Sequence, residues 1–140
     1  MPSYGKLAKA GLIFSKAETG FTNEQVSSLN IKCRTIKQDV KDLSGGNKQK
    51  VVFGKWMGNQ SEIFILDCPT RGIDIGVKAA MYQLMYRLKQ EGKSIIMISE
   101  ELTELIGMSD RIVILKNGKI GLSLDRSIDL TESMIIKEMV

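Results

Sequence analysis

Leu43-Ser44-Gly45-Gly46-Asn47 precedes a stretch of helix-forming residues, and its composition suits phosphate binding. Two glycines after a serine let the backbone approach a phosphate closely. The N–H groups of a first helical turn lack intrahelical acceptors, and the helix dipole adds a positive end at the same place. A serine N-cap with a glycine-rich loop accounts for the same residues without any ligand. The second chemical feature is Ile65-Leu66-Asp67. An aspartate at the C-terminal tip of an apolar strand stands where open α/β sheets bind ligands. Its carboxylate can hold Mg²⁺, usually through water. A strand-ending aspartate in a turn with Pro69 is the plainer alternative. A phosphate-binding helix start followed at this spacing by a metal-type aspartate is a joint pattern with few accidental matches.

The elements that would position these groups follow from periodicity and punctuation. Residues 1–21 read as loop with one weak helical turn at 6–10. Thr22 reads as an N-cap with Gln25 closing a capping box, so the spacing predicts a short helix at 23–29 that buries Val26 and Leu29. Residues 30–42 are polar and irregular. Ser44 opens a helix to about residue 57, with Val51, Val52 and Trp56 as its apolar stripe. Gly54 inside it disfavours a helix unless something packs closely there. The run 63–66 reads as a strand buried on both faces, as in a parallel sheet. Asp74 caps a helix at 76–91 with Val77, Ala80 or Met81, Leu84 and Leu88 inward, stopped by Gly92. A second strand at 94–98, a short helix at 101–106 and a third strand at 111–115 follow. Asn117-Gly118 turns the chain into a strand at 119–124, and Thr131 caps a last helix at 132–139. Strand, helix, strand, helix, strand is an α/β pattern, closed by an antiparallel hairpin.

Bulk properties exclude several functions. The 140 residues are 43% apolar and 26% charged with a net charge of +4, as in an ordinary globular domain. The lysines are scattered and aromatics few, so no nucleic-acid face is indicated. Cys33 and Cys68 form no CxxC pair and the chain has no His, which argues against zinc and for free thiols in a reducing compartment. No run approaches the roughly 18 apolar residues of a membrane span, and no secretory leader is indicated.

The combination resembles the ABC-type ATPases. Leu43 to Lys50 is similar to their signature motif, Ile63 to Asp67 to their Walker B strand, and Pro69-Thr70-Arg71-Gly72-Ile73-Asp74 to the D-loop that follows. Ile98-Ser99-Glu100 falls where a switch histidine normally stands. The Pro-Thr-Arg-Gly-Ile-Asp variant, together with 107–112, resembles the second nucleotide-binding domain of tandem ATPases in ribose, galactose or xylose importers, and related nucleoside importers look alike. The similarity runs from about residue 22 to the end.

The resemblance implies a partial P-loop NTPase fold of the ABC ATPase type: a parallel sheet with helices, part of the helical subdomain (1–58), and the remainder of the ATPase core (59–140). It implies ATP and Mg²⁺ as cofactors, with Ser44, Gly45, Gly46, Asn47 and Asp74 as nucleotide-side residues and Asp67 as the metal ligand. Cys68 stands at the catalytic glutamate position, where a thiol is a poor base; a small half-buried niche is its plainer role. Glu100 stands at the switch position, where a carboxylate would repel a γ-phosphate. No GxxxxGK[ST] occurs in the sequence, so the P-loop half is expected to be missing and no catalytic residue intact. The implied partners are a second nucleotide-binding domain and a membrane permease, holding the chain at the cytoplasmic face of the membrane, with a homodimer in isolation. A soluble ABC ATPase fragment and a non-catalytic docking module are the alternatives.

Overall fold

The computed structural model describes residues 7–9, 11–59, 61–126 and 130–139. They form two compact units, the first from residues 1–64 and 70–95, the second from 65–69 and 96–140.

In the first unit, β1 (Ala8–Lys9) and β2 (Leu12–Ile13) pair antiparallel, where the sequence suggested loop. The weak turn expected at 6–10 lies partly outside the described residues. Helix α1 spans Ser15–Ser28, starting well before the expected residue 23. Thr22 is therefore not its cap: it lies inside the helix, and its hydroxyl donates to the Glu18 carbonyl at 2.8 Å. Gly20 lies inside the helix, and the helix formers around it carry the turn through. The end is a Schellman motif. Ile31 N–H reaches the Val26 carbonyl and Asn30 N–H the Ser27 carbonyl, with Asn30 left-handed at φ 49°. Leu29 and Ile31, on either side of Asn30, are both buried.

After a 3₁₀ turn at Val40–Asp42, helix α2 runs Gly45–Met57 and buries Gly46, Phe53 and Gly54. The expected stripe of Val51, Val52 and Trp56 is thus displaced, and Trp56 is 52% exposed. The glycines decide the face, because they are where a neighbour can come close. A Cβ at Gly54 would sit 3.0 Å from Leu29 Cδ1, which is the close packing its presence foretold.

β3 (Ile63–Asp67), α3 (Ile75–Gln90) and β4 (Ser94–Ile98) make a crossover unit. β3 and β4 run in the same direction. Ser94 N–H donates to the Glu62 carbonyl at one end and Cys68 N–H to the Ile98 carbonyl at the other, both at 2.9 Å. α3 buries Met81, Leu84, Met85 and Leu88 at helical spacing. Asp74 caps it, Oδ1 accepting Val77 N–H at 3.0 Å. A second Schellman motif ends it at Gly92, φ 80°. Asp74→Ala is expected to lower stability by about 1 kcal/mol, the usual loss for an N-cap, read as a shift of the urea midpoint.

The strands are not buried on both faces as expected. Phe64 is buried, but Ile63 and Ile65 are 61% and 68% exposed, and Ile96 and Ile98 54% and 51%. Alternation puts each isoleucine pair on one face of its strand, and the chain leaves that face open.

The second unit is built on a hairpin. β5 (Arg111–Lys116) pairs antiparallel with β6 (Lys119–Asp125), Lys116 opposite Lys119. Asn117 and Gly118 have φ of 52° and 73°, the type I′ geometry that Asn-Gly favours. Helix α4 is Leu102–Met108, shifted from the expected 101–106, and α5 is Glu132–Met139 as expected. Thr131 Oγ1 accepts Met134 N–H at 3.4 Å, a weak cap. Ile135 of α5 is buried with Ile112 and Ile114, with Leu102, Leu105 and Leu122 packed around them.

No helix among the described residues is long and apolar enough to cross a membrane.

Candidate functional site

The phosphate-type turn lies in the first unit. Leu43 is buried and anchors the approach. Ser44 is the N-cap of α2 with extended backbone, φ −61° and ψ 156°, yet its side chain makes no capping hydrogen bond. The first helical bond runs from Lys48 N–H to the Ser44 carbonyl. The N–H groups of Gly45, Gly46 and Asn47 therefore stand outside the helix ladder, as first-turn donors do.

The two glycines play different parts. Gly45 faces open space, with nothing within 4 Å of where a Cβ would be. Gly46 is buried, and a Cβ there would lie 2.6 Å from Val77 Cγ2 and closer to Cγ1. So Gly45 leaves room for an approaching group, whereas Gly46 lets the start of α3 pack against the start of α2. Val77 is the residue whose N–H Asp74 caps, so Asp74 lies in the same cluster as the turn.

Asn47 braces the turn from behind. Lys32 N–H donates to Asn47 Oδ1 at 2.9 Å, and Asn47 Nδ2 donates to Ser44 Oγ at 2.9 Å. Lys50 Nζ donates to the Asn30 carbonyl at 3.0 Å, fixing the same loop further along the helix. The loop 30–32 therefore has a role that its irregular sequence did not reveal. The one cue was Asn30, a residue type that tolerates left-handed backbone.

Asp67, Cys68 and Glu100 belong to the second unit. Asp67 is the last residue of β3 and is exposed. Cys68 is half-buried with φ 44°, a left-handed conformation that costs a non-glycine residue about 1–2 kcal/mol. Its N–H bond to Ile98 holds it there. Glu100 is exposed. Beside it stands a group that sequence reading missed. Ser99 hydroxyl accepts Glu101 N–H at 3.1 Å and donates to Glu104 Oε2, and Glu104 is only 5% exposed. Ser two positions before an N-cap residue is a usual signal for such a turn, but nothing in the residue order marked Glu104 as buried.

No group of three or more His, Cys, Asp and Glu side chains among the described residues could hold a metal by itself. Mg²⁺ commonly takes one or two carboxylates and fills its sphere with water and phosphate oxygens. An exposed strand-tip Asp67 fits one such place. The open backbone at Gly45 fits a phosphate oxygen.

The fold is that of an ABC ATPase cassette. An inward-facing metal-chelate type ABC transporter superposes with a TM-score of 0.82 at 14% identity, over 99% of this chain and 55% of that one. An ATP-binding cassette solved as a dimer in a post-hydrolysis state with ADP and Pi gives 0.75 at 20% identity, over 90% and 53%. Sequence relatives narrow the class: the chain is homologous to the ATP-binding proteins of sugar importers. It is 42% identical over 135 residues to the ribose import ATP-binding protein RbsA of Bacillus cereus, covering 96% of this chain and 27% of that protein. It is 48% identical over 121 residues to the xylose import protein XylG of Thermoanaerobacter pseudethanolicus and, separately, to the galactose/methyl galactoside import protein MglA of Mannheimia succiniciproducens, each match covering 86% of this chain and 24% of the relative. No protein-family model matches. The chain thus spans about a quarter of the length of these relatives and about half of the solved chains.

Proposed function

We propose that this chain supplies the signature side of a sugar-importer ATP site, serving an ATP held by the P-loop of a second nucleotide-binding domain. The observation that carries the proposal is the Ser44–Asn47 turn, with an uncapped first turn, an open Gly45 and a braced Ser44. Three backbone N–H groups outside the helix ladder and one exposed hydroxyl belong to this turn, and the helix dipole favours a phosphate's charge there. The ribose, xylose and galactose import relatives support a sugar as cargo, with a membrane permease as the further partner at the cytoplasmic face.

On its own side the chain would be hydrolytically silent. Asp67 would take part in Mg²⁺ binding, but Cys68 cannot act as a carboxylate base toward water, and Glu100 offers a phosphate no donor when ionised. Cys68→Glu in the isolated chain is therefore expected to give no measurable ATP turnover, because one carboxylate cannot supply the phosphate cradle. Turnover above the buffer rate in a phosphate-release assay would refute this.

The exposed isoleucines of the second unit, Ile65, Ile96 and Ile98, support self-association in isolation, since exposed apolar surface is costly in water. Light scattering is expected to give a mass above that of one chain, and a clean monomer at high concentration would count against it.

A further inference from the structure

We infer that Asn47 is a positioning residue whose side-chain amide fixes the Ser44 hydroxyl as a donor toward phosphate. The inference rests on the phosphate-binding reading of the turn and adds to it how that turn acquires its polarity. The orientation of the amide follows from its partners. Lys32 contributes a backbone N–H, which can only donate, so the atom facing it is the carbonyl Oδ1. The NH₂ group then faces Ser44 Oγ, at 2.9 Å. An amide nitrogen accepts nothing, so the Ser44 oxygen accepts and its own proton points elsewhere.

A serine at an N-cap ordinarily turns its oxygen inward onto the N–H groups of the first turn. Ser44 does not. Held by Asn47, its oxygen is kept off those N–H groups, which stay available, and its proton is kept out of the internal network. Ser44 is exposed, which leaves that proton accessible to a group arriving from solvent. The result is a set of donors of one polarity, which suits an oxyanion and disfavours a cation.

The test is an amide-resolved NMR titration of the full 140-residue chain with inorganic phosphate, and separately with Mg-ATP. The parent chain should show saturable shifts at Gly45, Gly46 and Asn47. Asn47→Asp keeps an acceptor for Lys32 N–H but turns the second atom into an acceptor, which captures the Ser44 proton. It should bind at least about tenfold more weakly, the usual scale for a lost hydrogen bond to a charged group. Asn47→Ala leaves the Ser44 hydroxyl free to rotate and should fall between the two.

If Asn47 only braces loop 30–32, the order reverses: Asn47→Asp binds like the parent and Asn47→Ala is worst, which overturns the inference. Added negative charge is separated by a cycle with Ser44→Ala. The penalty of Asn47→Asp should shrink clearly in that background, and an unchanged penalty overturns the inference. Hydrogen exchange at Lys32 N–H supplies a ligand-free readout, with protection kept in Asn47→Asp and lost in Asn47→Ala. Protection unaltered in Asn47→Ala would remove the basis for the amide's orientation and overturn the inference. A parent chain that shows no shift at the turn at any phosphate concentration overturns the phosphate reading itself, and the inference with it. Shifts in the parent that Asn47→Asp leaves intact overturn the inference alone.

Discussion

Mg-ATP titrated into the isolated chain is expected to bind no more tightly than roughly millimolar. A millimolar Kd corresponds to about −4.1 kcal/mol and a micromolar one to about −8.2. The turn at Ser44–Asn47 offers helix-terminus donors, each worth about 0.3–2 kcal/mol at best. It offers them to one phosphate group, with the rest of the nucleotide unheld. The sequence contains no GxxxxGK[ST], so no lysine and no glycine-rich cradle grips the other phosphates. Asp67 would offer one carboxylate to Mg²⁺ and carries no charge complementary to phosphate. Isothermal titration that returned a micromolar Kd would mean a nucleotide site of a kind these residues do not provide.

Much of this was legible in the residues. The glycine-rich helix start after Ser44, the strand-tip aspartate, the capping by Asp74, the stop at Gly92 and the turn at Asn117-Gly118 depend on local backbone chemistry, which sequence reports directly. Two things were not legible. The inward face of α2 depends on which neighbour arrives, so the pattern of Val51, Val52 and Trp56 misled while Gly46, Phe53 and Gly54 were buried. The burial of β3 and β4 depends on what covers them, and apolar content alone cannot tell a covered face from an open one. Gly46 carries a packing role that its sequence does not reveal: the side chain it lacks leaves room for Val77, while Gly45 faces open space. Loop 30–32 was missed because its partners, Asn47 and Lys50, lie far along the chain, and Glu104 because the burial of a charged side chain leaves no mark in the residue order.

Gly46→Ala is expected to destabilise the chain by about 1–3 kcal/mol, the range for forcing extra volume into a packed position. The added methyl would lie 2.6 Å from Val77 Cγ2 and 3.0 Å from Val77 Cβ. Neither can step aside easily. Val77 is β-branched and stiff at χ1, and its N–H is held by Asp74. Gly45→Ala, one residue away, meets nothing within 4 Å and should change stability by less than about 0.5 kcal/mol. Removing the obstacle should rescue the first variant, so the double variant Gly46→Ala/Val77→Ala should be more stable than the sum of the single changes. Urea unfolding at constant m-value reads all of these. A Gly46→Ala chain as stable as the parent would mean that the starts of α2 and α3 are not locked together at this contact.

Ser44–Asn47 is proposed to work on an ATP held by another domain. Sedimentation of the chain with an intact, P-loop-bearing cassette of a sugar importer, with and without Mg-ATP, tests it most directly. Association should require Mg-ATP and should vanish when Ser44→Arg fills the turn while the fold, followed by circular dichroism, is unchanged. Association that ignores Mg-ATP, or that survives Ser44→Arg, would contradict it.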